Sequence, residues 1–357
     1  MTQRCPDPAA PHSGRVSRRS FLRSAAATAL VAAGLPPVQR LFGEQAAATP
    51  AKASSSESLV KLLFESFKPE QKAAVCFPWD YVDPLRGLLR TRIQNNWRIT
   101  KPAVKSDFYT ADQQAMIRGI FEGITSLEWH DRFDQQLQDD VGGFGNNQGV
   151  AIFGEPRTGK FEFVLTSRHM TLRCDGDSAE HVAFGGPILY AHEGESLHEK
   201  PDHPSNVFWP QAIEANKLFH VLDSKHRQLA LITKGMPSEE LVGFKRRGEE
   251  FQGCPVTEFS ADQKQELQRI VKNLLAPFRQ SDREEAVKCL DTQGGLDRCS
   301  LAFYKEGDLG NDGVYDNWRL EGPAFVWYFR GRPHVHVWVN VADDPRPKLN
   351  AFQDSIM

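Results

Sequence analysis

Residues 333–341 read Pro333-His334-Val335-His336-Val337-Trp338-Val339-Asn340-Val341, and the unbroken alternation of this stretch decides what kind of fold the chain builds. Val335, Val337, Val339 and Val341 share one face of a β-strand and point to a core; His334, His336, Trp338 and Asn340 share the other. A strand with one apolar face needs cover on that side. The chain therefore reads as α+β, with helices packed on an antiparallel sheet. The two imidazoles stand two residues apart, roughly 6.5–7 Å between Cα atoms, and aim the same way. That spacing lets both reach one ion with ring nitrogens about 2.0–2.1 Å from it. Imidazole suits zinc, copper and iron alike. The competing reading is a pair of polar residues on a solvated sheet face.

Upstream, the pattern is written twice, at an offset of about 150 residues. Tyr109-Thr110-Ala111-Asp112-Gln113 answers Phe259-Ser260-Ala261-Asp262-Gln263, each a hydroxyl residue followed three positions later by Gln, which is a capping-box helix start. Ile117, Ile120, Phe121 and Ile124 then answer Leu267, Ile270, Val271 and Leu274 at helical spacing. Leu63, Phe64 and Phe67 answer Leu218, Phe219 and Leu222. Val150–Phe153 answers Ser300–Phe303, Phe161–Cys174 answers Asp316–Tyr328, and His181-Val182 answers His334-Val335. This predicts an internal duplication within a domain spanning 58–342. The halves run over about 58–185 and 212–342, a long irregular loop fills 187–210, and a tail covers 343–357.

The repeat directs the search for further ligands. His169, in Ser167-Arg168-His169-Met170-Thr171-Leu172, lies in a predicted strand of the first half. Arg168 and His169 then point to opposite faces, so His169 is the candidate third ligand. Arg168 is the candidate for holding an anionic substrate group, with Trp338 as a second substrate contact. His181 is a weaker ligand candidate. The loop His192-Glu193-Gly194-Glu195-Ser196-Leu197-His198-Glu199 carries four residues between His192-Glu193 and His198, so it is not the zinc-protease motif. Its best use is Glu195 as ligand or catalytic proton acceptor over the strand histidines.

Other motifs fail on context. Gly154 to Lys160 resembles a phosphate loop, but Phe161 follows Lys160 and the segment sits in a hairpin turn with no helix to receive phosphate. No Gly-x-Ser-x-Gly elbow occurs. Trp318, Trp327 and Tyr328 read as sheet packing.

At the other end of the chain, residues 17–23 read Ser-Arg-Arg-Ser-Phe-Leu-Arg, followed by an Ala-rich, weakly apolar run from Ser24 to Val38. Paired Arg18 and Arg19 before such a run are the layout of a twin-arginine export signal. Ala46, Ala47 and Ala48 offer a cleavage site. The run is too short and too Ala-rich to span a bilayer. Residues 1–48 read as the signal peptide and 49–57 as a spacer, which predicts a soluble periplasmic or secreted protein handed to the twin-arginine machinery. A retained N-terminal anchor is the alternative. Removing the six basic and two acidic residues of positions 1–48 from the totals of 43 and 46 leaves 37 and 44, a net charge of −7. That balance argues against a nucleic-acid partner. Five cysteines remain beyond Cys5, an odd number with no C-x-x-C. They read as free and buried, because folding before export takes place in a reducing compartment.

The helix from Leu62 to Val75 ending in Phe77-Pro78-Trp79-Asp80, the Asn96-Trp97 pair, Thr110-x-x-Gln113, Arg168-His169-Met170-Thr171-Leu172 and His334-x-His336 occur in this order. In that order the chain resembles the bacterial "domain of unknown function 3500" proteins over residues 58–342. The resemblance implies one family-sized unit in an exported context and brings no reaction with it. It is broken at Arg98, where the family pattern carries His after the Trp. The resulting expectation is a metal-dependent enzyme, redox or hydrolytic, centred on His169, His334 and His336. The alternative is a non-catalytic protein holding a small molecule between its halves.

Overall fold

A computed structural model describes residues 55–176, 182–193, 207–245, 248–308, 312–347 and 349–350. The export signal with Arg18 and Arg19, and also His181, Glu195 and the end of the tail, lie outside the described residues. The first half runs α1 (Ser56–Ser66), α2 (Pro69–Val75), β1 (Cys76–Phe77), β2 (Val82–Asp83), β3 (Gly87–Leu88), α3 (Ala111–Ile124), α4 (His130–Val141), β4 (Gly149–Glu155), β5 (Lys160–Ser167), β6 (Met170–Asp175) and β7 (Ile188–His192). The second runs α5 (Trp209–Val221), α6 (Ser224–Ala230), β8 (Leu231–Ile232), β9 (Cys254–Pro255), α7 (Ala261–Leu275), α8 (Gln280–Thr292), β10 (Ser300–Tyr304), β11 (Asn317–Gly322), β12 (Phe325–Arg330) and β13 (Val335–Val341).

Both capping boxes form. Thr110 Oγ1 accepts from the Gln113 amide at 3.2 Å and the Gln113 side chain accepts from the Thr110 amide at 3.0 Å. Ser260 and Gln263 repeat this at 3.3 and 2.9 Å. The same glutamines reach further. Gln113 Nε2 donates to Ser66 O, the last residue of α1, and Gln263 Nε2 donates to Val221 O, the last of α5. One residue thus closes a helix start and satisfies an orphan carbonyl at the end of its packing partner.

Among the described residues, all strands except the β2–β3 hairpin join one mixed sheet in the order β1-β4-β5-β6-β7-β13-β12-β11-β10-β8, with β9 added on β10. β1 runs parallel to β4, and β8 parallel to β10. The halves meet edge to edge through β7 and β13, antiparallel from Val335↔His192 to Val339↔Ile188. The sheet is continuous there, so no groove separates the halves along that line. Reading outward from this seam, the order of strands is the same in both directions. Matching two-residue turns close β5–β6 at Arg168-His169 and β11–β12 at Pro323-Ala324.

Two expectations change, and one competing reading falls. The irregular loop expected from Pro187 begins with the strand Ile188–His192, and α5 starts at Trp209, before the expected end at Pro210. β7, and not the stretch at Val182, takes the place that mirrors β13; Val182 makes only a bridge to Ala342. The His336, Trp338 and Asn340 face of β13 is not solvated; all three side chains are buried.

The reason is a second covering layer. Helices pack on the face that carries Val335, Val337, Val339 and Val341. On the other face lie extended segments that bring Leu89, Ile93, Trp97, Ile99 and Val242 onto the sheet. Such segments have no ladder to satisfy their backbone groups. The sheet supplies the partners. Arg173 donates to Arg90 O and Arg92 O, Arg319 to Leu241 O, Asn340 to Val242 O, and Tyr328 Oη to Pro237 O. Glu162, fully buried, balances Arg173 at 2.6 Å and Arg90 at 3.1 Å. The Trp318, Trp327 and Tyr328 side chains are core, as expected. Cys76, Cys174, Cys254, Cys289 and Cys299 are all free. Burial pushes the Cys76, Cys289 and Cys299 thiols up to about 12 and Cys254 up to about 11, so none is poised as a nucleophile. Gly154 and Gly159 flank the β4–β5 hairpin connection, with no helix following.

Removing Glu162 leaves Arg173 buried and uncompensated. Glu162→Ala is expected to cost about 3–5 kcal/mol. Arg157→Ala, which breaks the exposed Arg157–Glu155 pair, is expected to leave stability close to that of the parent. Urea denaturation of the two variants beside the parent checks both.

Candidate metal centre

The β7–β13 seam ends where β13 begins, and four pieces of chain converge there. The β5–β6 turn brings His169, the start of β13 brings His334 and His336, the end of α4 brings Asp140, and the covering segment after β8 brings Glu239. His334 Nε2 lies 3.1 Å from His169 Nε2 and 2.9 Å from His336 Nε2. The potential ligand atoms of the three all fall within 4.8 Å of one another, and His169 and His336 are buried while His334 is half-buried. The three histidines named from sequence therefore gather in space.

His169 arrives by a route the alternation of residues did not show. Arg168 and His169 are not strand residues pointing to opposite faces. They are the two central residues of the β5–β6 turn, and His169 has φ 63. A non-glycine residue in the left-handed region is uncommon and is held there only by its surroundings. Here the His169 amide donates to Asn95 O at 2.6 Å and its carbonyl accepts from the Ala191 amide at 3.0 Å.

Each of two imidazoles has a carboxylate behind it. Glu239 Oε2 lies 2.5 Å from His336 Nδ1. Asp140 Oδ2 lies 3.0 Å from His169 Nδ1, out of line for a hydrogen bond. Asp140 is itself fixed by the Gln136 side chain at 2.6 Å and the Glu193 amide at 3.0 Å. The α4 helix ends at Gly142, in the left-handed region at φ 74, which sets the position of Asp140 two residues earlier. His334 Nδ1 is buried without a partner. Arg330, opposite His336 in the β12–β13 register, pairs with Glu239 at 3.0 Å and brings Nη2 to 2.8 Å from His336 Nδ1.

These contacts fix the protons. A carboxylate behind Nδ1 favours the Nδ1–H form, which turns the Nε2 lone pair toward the cluster. Burial, followed by the charges of His336, His169 and Arg330, holds His334 down at about 3. Burial, followed by Arg330 and His169, holds His336 well below the ordinary imidazole range. His334 and His336 are therefore neutral, the form that binds metal. Three Nε2 atoms then face one another, and the one proton His334 can place on Nε2 cannot satisfy both neighbours. A tetrahedral ion with bonds of about 2.0–2.1 Å sets its nitrogens about 3.3 Å apart. The separations of 2.9 and 3.1 Å need only a few tenths of an ångström of opening. Carboxylate–histidine pairs behind the ligands are the usual support of such a site.

The other sequence candidates divide. Arg168 lies at the site, paired with Glu193 and partly exposed. Trp338 is buried and its indole N–H reaches Glu239 Oε2 at 3.3 Å. It is not exposed to touch a substrate and serves the site from behind. His192 does not join the three; its Nε2 lies 3.0 Å from Asp139. Arg98 is exposed and is not among the gathered residues. Asp140, Glu239 and Arg330 escaped sequence reading. Only Asp140 had a usable signal, a carboxylate one turn after Gln136 at a helix end marked by Gly142-Gly143.

A family model described as "Protein of unknown function (DUF3500)" matches residues 49–340. No curated protein and no solved structure matches the chain.

In the metal-free protein, nitrogen-15 spectra of the imidazoles are expected to show His336 as the Nδ1–H form, and His334 taking up no proton between pH 7 and pH 5. An imidazolium at either position in that range contradicts the geometry.

Proposed function

The chain belongs to the DUF3500 family of proteins of unknown function, so no reaction comes with membership, and we propose from the site itself that it is a metal-dependent enzyme. The observation that carries this reading is the convergence of three imidazoles with carboxylates behind two of them. Three protein ligands leave a fourth position for water or substrate, the form of a catalytic rather than a structural site. An all-nitrogen set suits zinc, copper or iron. An ion here would polarise a bound carbonyl or lower the pKa of a bound water for hydrolysis, or, as copper or iron, exchange electrons. His169, His334 and His336 would hold it, and Asp140 and Glu239 would orient His169 and His336. Arg168 stands at the site to contact substrate, and Glu195 is assigned the part of proton acceptor.

The paired Arg18 and Arg19 support export by the twin-arginine route, which carries folded proteins and so permits a metal to be inserted beforehand. Among the described residues no helix is long and apolar enough to cross a membrane. The mirrored strand order, the two capping boxes and the two matching turns support an origin by duplication.

Protein purified after natural expression is expected to carry about one metal ion per chain. His169→Ala, His334→Ala and His336→Ala should each abolish stoichiometric metal, and Asp140→Asn or Glu239→Gln should weaken binding about 10- to 100-fold. Elemental analysis showing equal metal in the parent and the His334→Ala/His336→Ala double variant would end the reading. Replacing Arg18 and Arg19 by lysine is expected to leave uncleaved precursor in the cytoplasm; unchanged export of that variant in cell fractions would contradict the leader.

A further inference from the structure

We propose that the open position of this centre takes an anionic ligand, and that Arg330 sets that preference. The inference rests on the metal-centre reading and names the substrate class that reading leaves open. Arg330 spends little of its donor capacity. Nη1 binds Glu239 Oε1 at 3.0 Å, but Nε is buried with no partner. Nη2 faces His336 Nδ1 at 2.8 Å, while the same nitrogen lies 2.5 Å from Glu239 Oε2. An Nδ1 that donates its proton to Glu239 has no lone pair left for Arg330. The guanidinium therefore stands behind His336, on the Nδ1 side of the ring, with donors to spare, and acts on the centre through its charge.

The charges around the ion lead to the same class of ligand. Arg168 and Glu193 neutralise each other. Of the charged groups that touch the imidazoles, Asp140, Glu239 and Arg330 remain, two carboxylates and one guanidinium; Glu240 acts on Arg330 from farther out. With a divalent ion the assembly has one net positive charge, in a place where His169, His336 and Asp140 are buried. An unbalanced buried charge is costly. Hydroxide or a substrate oxygen bearing one negative charge, such as a carboxylate or a phosphate ester, cancels it. Without Arg330 the assembly is already neutral and an anion adds charge instead of removing it. The approach lies on the side of His334, the one ligand of the three that is not fully buried.

The test uses the full protein loaded with one equivalent of cobalt(II), titrated with azide and followed by its visible spectrum. Saturable one-to-one azide binding is expected in the parent. Arg330→Met should weaken azide about tenfold or more, Arg330→Lys should stay within a few-fold, and Glu239→Gln should tighten it. A parent spectrum that azide does not move, or equal azide affinity in the parent and Arg330→Met at equal cobalt content, overturns the inference while leaving the metal centre standing. If Arg330→Met loses cobalt, the comparison of the parent with Glu239→Gln decides, and unchanged affinity there overturns it. A parent that takes up no cobalt removes the centre itself, and the inference with it.

Discussion

The antiparallel ladder between β7 and β13 is the constraint on which the rest depends. It joins eleven strands into one surface and fixes, by register, what stands at each end of its own middle. Val335 opposite His192 places the start of one central strand beside the end of the other. Met170 opposite Tyr190 then brings the β5–β6 turn to the same edge, so His169 meets His334 and His336 although the first lies 165 residues from His334. A one-residue slip in this ladder would carry His336 and Trp338 to the helix side and the valines to the other. The uninterrupted valine face is what forbids the slip.

The second dependence is on polar side chains inside the sheet. A layer of extended chain cannot satisfy its own backbone, and burying it would ordinarily be unfavourable. Arg173, Arg319, Asn340 and Tyr328 answer that need from the strands. This also positions chemistry. The segment that Arg319, Asn340 and Tyr328 tie down between Pro237 and Val242 carries Glu239, the carboxylate behind His336. Fold stability and ligand orientation are thus set by the same group of bonds.

How much was legible follows from how local each signal is. The capping boxes needed four residues each and were read correctly, because their hydrogen bonds close within one helical turn. The valine face of β13 was legible for the same reason. The cover over the opposite face was not legible, and a solvated face stood as the competing reading, since what covers it comes from residues 89–99 and 233–245, which have no periodicity of their own. His169 was named for its residue type, but its place in a two-residue turn depends on which strands pair, and pairing is not local. Asp140 and Glu239 were missed on the same grounds. Ile188–His192 was read as loop because glycines and prolines crowd both sides of a five-residue strand.

The two matching turns differ in a way that separates cost from architecture. Pro323-Ala324 closes β11–β12 with neither residue in the left-handed region, whereas Arg168-His169 closes β5–β6 with His169 at φ 63. At that quieter end Gln293, just past α8, bonds Ala324 and Ala342 where Asp140, at the end of α4, bonds Glu193 and faces His169. At Pro323-Ala324 the scaffold holds its strand ends together with relaxed backbone. A left-handed residue is therefore no requirement of such a turn; of the two, only the one where an imidazole had to be turned inward carries it.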